Sequence, residues 1–534
     1  MASLKTFLLF VVLVTVSACG GSSSKGQDEH NTNDPFESSP TDVDTGSETE
    51  SADTGDIGSV STGDSDTEEN LGTGTETHSE PADCASTPPD ESCAGGLGTV
   101  EYNCIGGVWQ RTGFCCWTDG AACFFQFQWS DSYEDKPRAL AQGAQDGVIY
   151  LAGQTRKSNL DPVEMALTKF KRGVAEWTKR YGSPAKSNIV EGIATDSNGN
   201  VYLVGSTNES LDGQPNSGGM DVFVMKVDED GELIWTTLLG NESDEKGYAI
   251  ALDSEGNVFI AGLSNGSFYG HLFAGDFSDV IVAKLDPKGS LLWTGQFGSS
   301  KYDHTTYSKN PAIALDDKGD LYVVGATLGD LAQATLGSHD AYVAKYSASG
   351  EQLWIKQFGT DKADSANDIA IVGGDTIIIV GSTEGDLHGH KNSGDQCLTR
   401  SCQDIFIVRG DLDGNLDETA TRQWGTDAND AAAAVSVAAD GSIFLTGHTN
   451  GLFASHFINA ADIDDHEEDI MVAKLGQDGS QIWTRQYGSD AGLEFGFDVL
   501  AAHGEVYVVG KTQGLLGLEH PPFAGADAVL IKMK

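Results

Sequence analysis

The feature that most constrains this chain is a strand signature that recurs seven times along it. A clear copy runs from Asp221 to Gly240, DVFVMKVDEDGELIWTTLLG: a carboxylate, an alternating apolar strand, a cation, a Gly turn, and a strand carrying Trp235 with a large apolar residue four positions on. Copies open at Glu164, Asp221, Asp279, Asp340, Asp404, Asp469 and Asp527, and each has Lys or Arg five residues later: Lys169, Lys226, Lys284, Lys345, Arg409, Lys474 and Lys532. Self-similarity at a period near sixty residues marks a repeat architecture, and it sets the frame in which every single residue is interpreted.

Ahead of each signature lie two more strand patterns. The first ends at a turn, as in GIATDSNGN, AIALDSEGN and AIALDDKGD; the second reads VYLVGST, VFIAGLS, LYVVGAT, IIIVGST, IFLTGHT or VYVVGKT. Alternation with β-branched and aromatic residues, bounded by Asp, Asn and Gly, is the pattern of strands, and helical spacing is nowhere sustained. The Gly in every second strand, such as Gly205, predicts a bulge or a close backbone approach. In the fourth strand, Trp177, Trp235, Trp293, Trp354 and Trp483 stand four residues before Tyr181, Leu239, Phe297, Phe358 and Tyr487. At a period of two, both members of each pair share a face and pack between neighbouring sheets. In the fifth copy Trp424 aligns with Tyr487 and the anchor position falls on Ala420, so that blade is expected to be the loosest.

The two ends decide the topology. The last copy stops at Lys534, after its third strand, while FFQFQWSDS upstream of the first copy places Phe125, Phe127 and Trp129 on one face. Aligning Trp129 with Trp424 and Tyr487 puts Phe125 at the anchor position, so the N-terminal segment reads as a fourth strand without its first three. Four-stranded sheets repeated around an axis, the last shared by both chain ends, make an all-β, seven-bladed β-propeller over residues 124–534. Closure removes the exposed edges an open array would leave.

The preceding residues are of three other kinds. Residues 1–18 read as a signal peptide: Lys5, an apolar run from Phe7 to Val16 too short to span a bilayer, then small residues before Cys19. Residues 19–83 are Ser, Thr, Gly, Asp and Glu with Lys25 the only basic side chain, a composition expected to stay disordered as an acidic tether. Residues 84–123 hold Cys84, Cys93, Cys104, Cys115, Cys116 and Cys123, an even set that in an exported chain implies a small disulfide-rich knob of undetermined connectivity. Cys397 and Cys402 follow His388 and His390; a local disulfide is favoured there over a zinc site.

The string IALDSEGNVFIAGLS followed by DVIVAKLDPKGSLLWTGQFGSS resembles the SBBP family, the β-propeller repeat of bacterial exported proteins. The resemblance covers roughly residues 124–534 and implies a seven-bladed fold at the cell surface, with no catalytic residues to carry over. Val16, Ser17, Ala18 and Cys19 are similar to the lipobox of bacterial lipoproteins. That likeness implies an acylated Cys19 as first mature residue and, with Gly20 rather than Asp after it, an outer-membrane lipoprotein.

The Asp and Lys of each third strand are five residues apart and so lie on opposite faces. Present in every blade, they serve the architecture: the carboxylate caps the loop entering the strand and the cation reaches toward the turns. Turns such as Asp228 to Gly231 and Asp411 to Gly414 hint at calcium, but are too short for an EF-hand-type loop; type I turns with Gly at positive φ are favoured and no cofactor is assigned. The loops between strands two and three vary most and lie on one face, the candidate binding surface, with Phe268, Tyr269, His388, His390, Phe453 and Phe457 as candidate contacts for a protein or glycan. A net charge of -48 argues against nucleic acid or anionic lipid headgroups as partners. Two function classes remain: a non-catalytic, lipid-anchored binding or scaffolding propeller, and an extracytoplasmic propeller enzyme such as a quinoprotein-like dehydrogenase.

Overall fold

The computed structural model describes residues 98–105, 108–117, 122–127, 134–158, 160–275, 277–304, 311–394, 402–453, 468–489, 492–513 and 526–533. Cys19, the acidic tether, Cys84, Cys93, Trp129, Cys397 and Phe457 lie outside the described residues. Apart from one short 3₁₀ turn, Leu387–Gly389, every described element is a β-strand.

The strands form six four-stranded sheets and one six-stranded sheet, all paired antiparallel in hydrogen-bonded order. Each four-stranded sheet is one blade, its strands laid side by side in chain order; the second blade, for example, is Asn188–Thr195, Val201–Thr207, Asp221–Val227 and Leu233–Leu239. The seventh is Phe495–Ala502, Glu505–Thr512 and Asp527–Met533, with Ala122–Phe127 as its fourth strand. The chain thus folds as the predicted seven-bladed propeller, its last blade completed by the N-terminal segment. The first and last blades meet directly, since the Asp135 N–H donates to the Ala526 carbonyl at 3.0 Å.

The closing strand has a register two residues earlier than the aligned one. Lys226 faces Trp235 and Val222 faces Leu239 in the second blade, whereas Lys532 faces Cys123 and Ala528 faces Phe127 in the seventh. Cys123 therefore holds the anchor position in place of Phe125. A slip of two residues keeps every side chain on its own face, so the apolar alternation FFQFQW cannot distinguish the registers.

The Cys-rich segment continues this sheet outward. Gly98–Ile105 and Val108–Trp117 form a hairpin, and its second strand pairs with the closing strand at Cys115 with Phe124 and Cys116 with Cys123. A disulfide links Cys116 and Cys123 across that pair. The knob is thereby stitched to the blade in which the two chain ends meet.

Second and third strands are buried on both faces, as in Val201–Thr207 and Asp279–Leu285, and apolar clusters fill the space between neighbouring sheets. The anchor Trp residues lie in those gaps. Trp235 meets Tyr202 edge-on with centroids 6.0 Å apart, and Trp293 meets Phe259 in the same way at 6.0 Å. Each also presses on the next blade: a Cβ on Gly289, whose φ is 83°, would lie 2.8 Å from Trp235, so this turn needs glycine for both its backbone and its clearance. Gly205 answers to a close approach, its missing Cβ lying 1.9 Å from the Ile189 carbonyl beside a bulge in the first strand.

Blade five departs where expected. Trp424 faces Ile405, as Tyr487 faces Ile470, but Arg409 faces Asp417, and the register jumps between Ile407 and Arg409. The stretch around Ala420 is thrown out as a bulge instead of supplying an anchor.

Candidate functional site

The loops between strands two and three, and those between blades, share one face of the ring, and buried polar side chains hold them down. The third-strand carboxylates cap the incoming loops as predicted: Asp221 Oδ2 accepts the Ser217 N–H at 2.7 Å, Asp279 Oδ2 that of Ala274 at 2.8 Å, and Asp404 Oδ2 that of Ser393 at 2.8 Å. A fourth-strand glutamine completes the clamp. Gln296 donates Nε2 to Asp279 Oδ2 at 2.9 Å while its Oε1 accepts the Phe268 N–H at 2.7 Å. Gln357, Gln423 and Gln486 repeat this at Asp340, Asp404 and Asp469. These glutamines were not singled out from sequence, although each stands immediately before the aromatic residue of its fourth strand.

A second set went unnoticed as well. Glu245, Asp364 and Asp430 open first strands, Glu494 immediately precedes one and Asp303 stands ahead of another; all five are fully buried, with Asn188 and Asp135 at the equivalent place in blades two and one. Each of the five accepts a hydroxyl from the end of the second strand, as Asp303 does from Thr327 at 2.6 Å and Glu494 from Thr512 at 2.8 Å. The visible signal is a carboxylate five residues after the Gly that ends the preceding fourth strand, at Gly240, Gly298, Gly359 and Gly425.

The candidate contact residues separate. Phe268 and Phe453 are buried rather than exposed, because the Gln clamp on each backbone N–H pulls the loop down over the blade. Tyr269 remains about half exposed. His388 takes the slot of Asp212 in blade two: both have φ of 50°, and each meets a fourth-strand threonine, His388 Nδ1 with Thr421 Oγ1 at 2.7 Å and Asp212 Oδ2 with Thr236 Oγ1 at 2.6 Å. His390 is partly exposed. Cys402 is buried and disulfide-bonded, while Cys397, the partner expected from sequence, lies outside the described residues. Sequence reasoning missed a further exposed pair on this face: Phe277 and Tyr302 stack with centroids 4.1 Å apart, and Leu328 donates its N–H to the Tyr302 carbonyl at 2.8 Å.

On the opposite face the turns are self-contained. Asp253 Oδ1 accepts the N–H groups of Glu255 and Asn257, and Asp228 and Asp411 act likewise in the turns considered for calcium, with Gly231 and Gly414 at positive φ. Their carboxylates serve the turns themselves. The third-strand cations are drawn in beneath the turns, Lys169, Lys284, Lys345 and Lys532 being buried and Lys226, Arg409 and Lys474 partly so. Lys284 lies 4.4 Å from the Phe259 ring centroid and 3.3 Å from Asp253, and Lys345 lies 4.8 Å from the Tyr322 ring with Asp320 at 3.1 Å. In the seventh blade Lys532 pairs with Glu101 of the Cys-rich hairpin.

Along the axis is a cavity of about 160 Å³. The first strand of every blade contributes to it, through Ala139, Gly192, Ala249, Ala312, Asp368, Ala434 and Asp498. Arg138 and Glu191 pair there at 3.3 Å, while Asp498 and Asp368 accept the N–H groups of Leu140 and Val435 from the next blade. The cavity is smaller than the few hundred Å³ typical of small-molecule pockets, and its carboxylates act in joining blades.

The SBBP model, a beta-propeller repeat, matches residues 176–212 and 234–269. Each match starts on a fourth strand, one residue before its Trp, and runs through the first two strands of the following blade. Regulatory protein FlaEY of Caulobacter vibrioides is 30% identical over 211 residues, which is 36% of this chain and 21% of that protein. The chain therefore spans about a fifth of that relative's length. Among solved structures, the Dos1 propeller aligns over 76% of this chain and 94% of its own at 9% identity, TM-score 0.38. Sqt1 from Chaetomium thermophilum aligns over 76% and 98% at 11% identity, TM-score 0.36. In fold this chain is a seven-bladed propeller, and two stretches of it, residues 176–212 and 234–269, match the SBBP beta-propeller repeat.

Proposed function

We propose that this chain is a non-catalytic binding or scaffolding protein, held outside the cytoplasm at the outer membrane by a lipid on Cys19, that offers the loop face of its propeller to a protein or glycan. The observation that carries the reading is the distribution of exposed apolar side chains. Among the described residues, the large exposed ones lie either on outer strands, as Ile234 and Leu292 do, or on loops of one face, as Leu160, Tyr269, Leu272, Phe277, Tyr302 and Leu336 do. The tight turns of the other face contribute none among the described residues. A rigid ring with apolar tips gathered on its variable loops suits recognition, and the charge of -48 turns the choice away from nucleic acid.

The test is a glycan and surface-protein array probed with the full-length protein beside a Phe277→Ser/Tyr302→Ser variant. The proposal expects a ligand whose signal falls at least about tenfold in the variant while the thermal midpoint is kept, the loss that roughly 1.4 kcal/mol of contact energy would bring. A ligand bound equally by both proteins would move the site off this face. Cys19→Ser should release the protein from the membrane fraction; continued membrane association would remove the lipid anchor from the account.

A further inference from the structure

Where two blades meet, two carboxyl groups meet as well. Asp279 and Asp404 open third strands, Asp430 opens the first strand of the blade that follows and Asp303 stands ahead of the first strand of its own, and all four are fully buried. A Cβ on Gly298 would lie 2.2 Å from Asp279 Oδ1 and 2.8 Å from Asp303 Oδ2; one on Gly425 would lie 2.4 Å from Asp404 Oδ1 and 2.7 Å from Asp430 Oδ2. Two oxygens from two blades thus converge on a single glycine at each seam. Asp279 Oδ1 and Asp404 Oδ1 have no hydrogen-bond partner among the described residues, and Asp221 Oδ1, beside Gly240, is in the same position.

The remaining oxygens are engaged. Asp303 accepts from Thr327 Oγ1 and from the Ser299 N–H, and Asp430 from Thr449 Oγ1, Thr426 Oγ1 and the Thr426 N–H. Asp279 Oδ2 accepts from Ala274 and Gln296, and Asp404 Oδ2 from Ser393 and Gln423. The groups facing these seams are hydroxyls, amides, the Asp386 carboxylate near Asp404, and His304, whose Nδ1 lies 2.9 Å from Ser278 Oγ and whose pKa burial lowers. No Lys or Arg among the described residues pairs with these four carboxylates. A buried anion pair with a bare acceptor and no cation needs a proton, since an unpaired buried charge is the costliest arrangement available.

We propose that each of these seams is held by one proton shared between two carboxyl groups: the first-strand carboxyl takes it from solvent and donates it to the bare Oδ1 of the third-strand aspartate across the seam, so the ring tightens in acid and loosens as that proton leaves. Burial raises Asp303, Asp364 and Asp430 to about 6 and Glu494 to about 7, with the third-strand aspartate across each seam adding to the rise. The sign follows. Groups whose folded pKa exceeds the unfolded value bind protons that the unfolded chain releases, so stability is gained as pH falls from about 7 to 4 and lost as it rises through 6 to 7. The seam between blades one and two carries Asn188 at this position, a buried amide that cannot lose its donor.

The test is the thermal midpoint of the full-length protein at pH 5 and pH 8, compared with an Asp303→Asn/Asp430→Asn double variant. The wild type is expected to melt roughly 5 °C higher at pH 5. The variant, with two of the seams fixed as amides, should lose about half of that difference by melting higher at pH 8. An unchanged difference overturns the proposal, as does a wild-type midpoint at pH 8 that calcium raises and EDTA lowers, which would put a cation in the seam. Should the variant fail to fold, infrared difference spectra of the wild type decide: the carbonyl band of a protonated carboxyl must be present at pH 5 and gone at pH 8, and its absence at pH 5 overturns the proposal.

Discussion

The buried third-strand cation of blade four shows how much one side chain is asked to do. Lys345 neutralises Asp316 and Asp320, lies over the Tyr322 ring, and donates to the Leu412 carbonyl of the next blade at 3.2 Å. Replacing it by Met removes the charge and strands one buried and one mostly buried carboxylate. Lys345→Met should cost about 3 kcal/mol in urea-unfolding stability. A loss below about 1 kcal/mol would mean that water already screens those carboxylates. The cation was legible in the sequence, and so was its separation from the third-strand carboxylate, because a spacing of five places them on opposite faces. Its burial was not, since that depends on an aromatic ring from the second strand and on turn aspartates some thirty residues upstream. The Gln clamp escaped notice for a similar reason: an amide before an aromatic residue looks like surface decoration until its strand is set beside the loop it holds. Gln296→Leu leaves the Phe268 N–H and Asp279 Oδ2 each short of a partner, and should speed hydrogen exchange across residues 265–275 while costing about 2 kcal/mol. Unchanged exchange there would contradict the clamp.

At the scale of elements, the strand pattern and its sixty-residue period gave seven sheets at the expected places, because alternation and turn residues are local signals. The exact register of the closing strand was not local. Phe125 and Cys123 lie on the same face, and only the pairing of Cys123 with Lys532 and its disulfide to Cys116 separate them. The Cys-rich hairpin accordingly acts as a brace on the last blade. Opening the Cys116–Cys123 bridge by Cys116→Ser/Cys123→Ser releases a short loop and should cost about 2 kcal/mol, seen as a lower thermal midpoint. No shift would show that backbone pairing alone holds the hairpin. Anchors act between blades: Trp293→Ala, which empties a gap shared with Phe259, Tyr346 and the turn at Gly350, should cost about 3 kcal/mol by the same measurement.

The propeller is a ring in which each blade leans on the next through apolar clusters, turn contacts and carboxyl seams, and in which one blade is made from the strand Ala122–Phe127 and the last three strands of the chain. The loop face inherits its order from that ring. What the loops recognise was not legible, because recognition depends on which loop side chains fold inward, as Phe268 and Phe453 do, and which remain outside, as Phe277 and Tyr302 do. The central claim is closure, and hydrogen exchange on the intact protein tests it most directly. If the ring is fastened as described, the amides of Asp527–Met533, flanked by strands on both sides, exchange as slowly as those of the interior strand Val201–Thr207. Exchange of Asp527–Met533 at the rate of an exposed edge strand would contradict closure.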